Sequence, residues 1–162
     1  QGMPLKVSSE NVTQHGHSIQ CRVCAEDPEN NFFPATGDIL YWSQPDLKGM
    51  RYDSGVKSCS KIEVYYDSLI AKVISYADTR TAVILRMYQA LDKMSILGVT
   101  TNKDFLKELL QNPSFVDSTF DTKLIEREYS GYKNTPPEIA LNEMAIAALL
   151  YNWQGRGLNE TF

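Results

Sequence analysis

Basic runs, glycine-rich phosphate loops and long apolar stretches are all missing from this 162-residue sequence, and histidine and cysteine are scarce, at two and three. The 16 Lys and Arg are scattered and outnumbered by 20 Asp and Glu, which leaves a net charge of −4. No general positive field draws a polyanion, so nucleic acid is not an expected partner. No apolar run reaches the roughly 18 residues a membrane span needs, and the opening QGMPLKVSSENV has neither the basic start nor the apolar centre of a signal peptide. The expectation is a soluble, intracellular chain or a piece of a larger one, with no membrane contact. A small, odd number of cysteines argues against a disulfide framework. With no G-x-S-x-G, no H-E-x-x-H and no cysteine and histidine at a workable spacing, no catalytic constellation assembles from spacing alone.

Cys21 and Cys24 in CRVC have the C-x-x-C spacing of some zinc and redox pairs, but their setting is a strand. Ile19, Cys21 and Val23 alternate with Gln20, Arg22 and Cys24 at period 2, which predicts one apolar face. Residues three apart in a strand point to opposite faces, so the two thiols would not share a metal. Cys59 stands alone, and His15 and His17 flank a glycine as turn residues. No metal site is expected.

What the sequence does hold is 43% hydrophobic residues in 18.3 kDa, enough for one ordinary core. Its first half reads as strand and turn. DILYWSQP predicts a short strand closed by Pro45, and MRYDSGV follows Gly49 as another. KIEVYYDSLIAKVISYA is long enough for two strands, or one bent at Asp67-Ser68. Apolar residues at Ile70 and Ile74 on one side, and at Leu69, Ala71 and Val73 on the other, predict burial of its second part on both faces.

Helical spacing starts after Asp78 and Thr79, either of which can cap a helix. Val83, Ile84, Met87, Leu91 and Met94 recur at intervals of three or four, and Gly98 is the expected end. TNKDFLKELLQN predicts a second helix with Phe105, Leu106, Leu109 and Leu110 as its stripe. SGYKNTPP then reads as a linker, and residues 137–153 as a helix whose broad apolar surface has no following segment to cover it. The residues alone therefore predict an α+β domain with a C-terminal helical extension. They also leave one arginine in question. Arg51, in GMRYDSGV, is either a surface charge answered by Asp53 or a cation aimed at a bound group.

Five blocks, GHSIQCRVCAEDPENNFFPATGDIL, MRYDSGV, YYDSLIAKVISYADTRTAVILRMYQAL, GVTTNKDFL and DTKLIE, stand in an order and spacing that resembles the C-terminal lobe of biotin carboxylase, the ATP-grasp component of biotin-dependent carboxylases. The resemblance runs from Gly16 to Glu126. It implies an antiparallel sheet in the first half packed with helices from the second. It also implies a connector at 1–15, the lobe at 16–129, and a linker and helix at 130–162 leading toward the next domain of a larger subunit. NNFFPATG and the helix after the lobe look most like the α-subunits of acyl-CoA carboxylases, particularly the methylcrotonyl-CoA type.

In such an enzyme ATP and bicarbonate form carboxyphosphate, which releases CO2 beside biotin. The resemblance implies that Arg51 is catalytic and binds the cofactor, its guanidinium holding the biotin ureido oxygen as charge moves onto it. It implies a dimer contact at Arg80, and a part for Asp67 and Lys72 in holding the strand bend. The main ligands of ATP and Mg would lie in parts of the parent upstream of residue 1, so the chain alone should be inactive. Implied partners are the rest of the biotin carboxylase subunit, the biotin carboxyl carrier domain and a carboxyltransferase β-subunit, in the cytoplasm or, for a eukaryote, the mitochondrial matrix. The sequence departs from the family's usual residues at Gln20, Cys24 and Cys59. The last replaces a glycine at a turn where a positive φ is expected. Two other readings stay open: a non-catalytic interaction module with the same fold, and a carboxylase for another acceptor such as pyruvate or urea.

Overall fold

The computed structural model describes residues 2–4, 7 and 9–134; the expected helix at 137–153 lies outside them. Nine strands run in order: β1 His17–Cys24, β2 Glu26–Asp27, β3 Phe33–Pro34, β4 Gly37–Asp38, β5 Tyr41–Ser43, β6 Met50–Ser54, β7 Lys61–Ile62, β8 Leu69–Ala77 and, after the first helix, β9 Ser95–Leu97. Four helices follow β8 or β9: α1 Arg80–Lys93, α2 Lys103–Gln111, α3 Pro113–Val116 and α4 Leu124–Glu128. Every strand pairing among the described residues is antiparallel. The expected α+β arrangement, strands first and helices second, is the observed one.

β8 is the centre of the main sheet, with β1 on one side and β6 on the other. Its alternation decides which way each neighbour faces. Ala71, Val73, Ser75 and Ala77 are buried on one side, where α1 lays Val83, Met87, Ala90 and Leu91 across them. Cys21 and Val23 of β1 join this core, as do the partly buried Met50 and Tyr52 of β6. Full burial of side chains such as Met87 and Leu91 contributes about 1.5–3 kcal/mol each, so this layer carries most of the stabilisation. The opposite face of β8 is a correction to the sequence reading in part: Ile70 is buried as expected, but Lys72 and Ile74 are only half-buried and Tyr76 is exposed, so this face opens toward the end of the strand.

Helix α1 begins where its sequence says it should, with the Thr79 hydroxyl accepting from the Ala82 N–H at 3.2 Å. It ends at Lys93, five residues short of Gly98. Ser95 and Ile96 leave the helix because β5 offers them a ladder, with Trp42 opposite Ile96 and Ser43 opposite Ser95. α2 packs against α1, and Lys107 ties the two by a 2.7 Å bond to Asp92. Cys59 adopts a left-handed conformation, with φ of 67°, so the turn is kept without glycine, and its N–H donates to the Ile39 carbonyl at 2.7 Å.

Burial raises the Cys21 thiol from its ordinary value to about 12. An unfolded chain would lose that proton near pH 9, while the folded chain holds it. Stability present below pH 9 is therefore lost as pH rises from about 9 toward 12. We expect the melting temperature to fall between pH 8 and pH 10.5, and Cys21→Val to reduce that fall. An unchanged pH dependence in the variant would show that the Cys21 thiol does not control it.

Candidate functional site

The half-open face of the main sheet is where the sequence-predicted site residue lies. Gly49 starts the approach: its φ is +79°, and a Cβ there would stand 2.9 Å from the Tyr76 carbonyl oxygen and run into the Arg86 guanidinium. Only glycine lets the chain enter β6 so close to β8. The Gly49 carbonyl accepts from the Tyr76 N–H at 2.9 Å, which locks the register in which Arg51 faces Ile74 and Asp53 faces Lys72. On the other side of β8, Gln20 is opposite Ile74 and Arg22 is opposite Lys72. Two rows of side chains result, Gln20, Ile74 and Arg51 in one and Arg22, Lys72 and Asp53 in the next. The two rows hold three cations, Arg22, Lys72 and Arg51, and one anion, Asp53, with the Asp67 carboxylate reaching Arg22 from the turn before β8.

Arg51 is 72% exposed at its side chain and closed on Asp53. Its Nε donates to Asp53 Oδ1 at 2.9 Å and its Nη2 to Oδ2 at 2.8 Å, a side-on bidentate pair. That hydrogen bond and the carboxylate charge raise the guanidinium pKa further above neutrality. Of the five N–H donors of a guanidinium, Asp53 takes two, and three remain, including both that point end-on between Nη1 and Nη2. The ion-pair reading of Arg51 is therefore correct as geometry, and it leaves the cation able to hold an oxyanion at its other edge. The donor set suits an anionic oxygen. It does not suit a divalent metal: among the described residues no group of three His, Cys, Asp or Glu is placed to hold one.

Arg80 lies on a different element. Its Nε donates to the Val116 carbonyl at 3.1 Å, its Nη2 to the Phe115 carbonyl, and its guanidinium sits 5.1 Å from the Phe115 ring centroid. It braces the end of α3. Asp67 pairs with Arg22 at 3.8 Å and accepts from the Leu69 N–H at 3.2 Å, so it does stand at the turn into β8. Cys21 points into the core, while Cys24 follows a register shift in β1 and its Sγ lies 3.7 Å from the Arg22 carbonyl.

One organising residue escaped the sequence reading. Buried Asn102, just before α2, accepts from the Cys24 N–H at 2.9 Å and donates to the Arg22 carbonyl at 3.1 Å. Its own N–H donates to the Cys24 carbonyl at 3.1 Å. These bonds finish the end of β1 beyond its register shift, next to Arg22 on the open face. No local signal marks a contact spanning 78 residues; only the GVTTNKDFL block pointed at the segment at all.

Residues 20–127 match the family model described as the biotin carboxylase C-terminal domain. The chain belongs to the biotin carboxylase C-terminal domain family. Among curated relatives, Biotin carboxylase 1 of Bacillus subtilis is 42% identical over 125 residues, covering 77% of this chain and 28% of that protein. The mitochondrial propionyl-CoA carboxylase α chain of Sus scrofa is 37% identical over 158 residues, covering 93% and 21%. A methylcrotonoyl-CoA carboxylase α-subunit of Dictyostelium discoideum is 31% identical over 149 residues, covering 91% and 21%. The biotin carboxylase domain of Hydrogenobacter thermophilus 2-oxoglutarate carboxylase, solved as a dimer with MgADP, ADP and bicarbonate, superposes with a TM-score of 0.79 at 33% identity, covering 83% of this chain and 30% of that one. The chain thus spans less than a third of the length of each relative. Arg51, Asp53, Arg80 and Asn102 all fall within the stretch the family model matches. No described helix is long and apolar enough to cross a membrane.

Proposed function

We propose that this biotin carboxylase C-terminal domain forms one wall of the site at which biotin is carboxylated, as the C-terminal lobe of a larger ATP- and bicarbonate-dependent subunit. The observation that carries the reading is Arg51: an exposed guanidinium held by one edge, its other edge without a partner among the described residues, on a half-open sheet face inside a family-matched stretch. Biotin, when bound, supplies the ureido nitrogen that takes up CO2. Arg51 presents its end-on N–H pair to the ureido oxygen and meets the charge that develops there without changing protonation state. Lys72 and Arg22 stand in the adjoining row, balanced in part by Asp53 and Asp67. Asp67 and Gly49 hold the two strand entries that aim this face.

The ATP and Mg ligands belong, on this reading, to the parts of the subunit outside the chain, which the coverage of the relatives supports. Partners follow from the same reading: the rest of the biotin carboxylase subunit, a carrier domain bearing biotin, and a carboxyltransferase β-subunit. On this reading residues 1–15 are a connector, 16–129 the lobe and 130–162 a linker and helix toward the next domain. Arg80 is proposed as a dimer contact, its guanidinium held by the Phe115 and Val116 carbonyls. The parent is assigned to the acyl-CoA carboxylases, in the mitochondrial matrix if the source is a eukaryote. The propionyl-CoA relative is more similar than the methylcrotonoyl-CoA one, so propionyl-CoA is the first acceptor to test and 3-methylcrotonyl-CoA the second.

The test compares residues 1–162 with the full-length subunit, each given ATP, Mg, bicarbonate and free biotin. Carboxybiotin should form with the full-length subunit and not with the chain alone. ATP turnover stimulated by biotin in the isolated chain would contradict the reading, as would a full-length protein unable to carboxylate biotin.

A further inference from the structure

Among the described residues, Asp53 alone hydrogen-bonds the Arg51 guanidinium. The side chain is 72% exposed, its cross-strand neighbour is the apolar Ile74, and both hydrogen bonds of its guanidinium among the described residues go to the one carboxylate. Arg51 and Asp53 are two apart on β6, so they leave the sheet on the same side. The carboxylate takes the edge formed by Nε and Nη2. That contact fixes the plane of the fork and leaves the Nη1 side turned away from Asp53. Asp53 is itself placed by its neighbours, since Lys72 stands opposite it in the ladder, an arrangement that favours unlike charges.

We propose that Asp53 is a positioning residue for Arg51, clamping one edge of the guanidinium so that the other meets the biotin ureido oxygen. This rests on the assignment of Arg51 to biotin. A loose arginine would still carry its charge to the site, but it would spread its donors over many directions. An oxyanion gains most from donors aligned before the charge develops. Asp53 therefore acts on the rate of carboxylation, with no part in holding the nucleotide.

The experiment uses the full-length carboxylase with Asp53→Asn, Asp53→Glu and Arg51→Lys. Carboxybiotin formation, ATP hydrolysis and thermal melting are measured on each. Asp53→Asn keeps the size but sets an amide NH2 against a guanidinium N–H, so one of the two bonds is lost. We expect its kcat for biotin carboxylation to fall about tenfold or more, with the KM for ATP unchanged and more ATP hydrolysed per carboxybiotin formed. Asp53→Glu, which keeps the carboxylate, should recover most of the rate. Wild-type kcat and coupling in Asp53→Asn beside an impaired Arg51→Lys would overturn the role of Asp53 and leave that of Arg51 standing. Equal losses in Asp53→Asn and Asp53→Glu, with lowered melting temperatures, would make Asp53 a structural residue. Wild-type carboxylation by Arg51→Lys would remove the assignment on which the inference stands.

Discussion

Arg51→Ala in the full-length carboxylase is expected to lower carboxybiotin formation by about a hundredfold or more, the usual consequence of removing one oxyanion donor. The apparent KM for ATP should stay close to wild type, since the nucleotide is assigned to parts outside this chain. The loss should fall on kcat rather than on biotin binding, because the charge that Arg51 meets develops only as the reaction proceeds. Arg51→Lys keeps a positive charge but lacks the planar fork, and it cannot reproduce the side-on clamp at 2.8 and 2.9 Å on Asp53. It should be impaired as well, with ATP hydrolysis partly uncoupled from carboxylation. Folding is not at stake. Arg51 is exposed and its pair with Asp53 lies on the open face, so melting temperatures should match wild type. A collapsed melting temperature would make Arg51 structural instead.

The second large effect belongs to stability. Asn102→Ala should destabilise the domain by about 2–4 kcal/mol, because it strips the partner from the buried Cys24 N–H and from the Arg22 carbonyl together. For a chain of this size that corresponds to a fall of roughly 10 °C in melting temperature. Asn102→Asp is a sharper probe. It keeps the acceptor for Cys24 but turns the donor aimed at Arg22 into an oxygen facing an oxygen. It should therefore also lose stability, despite its nearly identical shape. Urea unfolding of both variants checks this, and a change below about 0.5 kcal/mol in each would show that solvent replaces the side-chain bonds.

Much of the fold follows from periodicity that a local window contains. The phase of α1 and α2, the Thr79 cap, the apolar alternation of β1 and the strand carrying Arg51 are all of this kind. Where the reading missed, the deciding partner was distant in the chain. α1 stops at Lys93 because β5, some fifty residues earlier, competes for Ser95 and Ile96. Helices α3 and α4, of four and five residues, are too short to show a period. Ile74 suggested a strand covered on both faces, yet its side of β8 is left half-open. Residues alone could not choose between the Arg51 pair with Asp53 and a ligand; the geometry shows that one guanidinium has edges for both. Arg80 could not be given its carbonyl partners, which lie 35 and 36 residues further on.

The most direct test of the central claim is a crystal structure of the full-length carboxylase with biotin, bicarbonate and MgADP bound. Arg51 should remain clamped side-on by Asp53, with an end-on guanidinium nitrogen about 2.7–3.2 Å from the biotin ureido oxygen. An ureido oxygen held by another cation, with the Arg51 guanidinium well beyond hydrogen-bond reach, would contradict it.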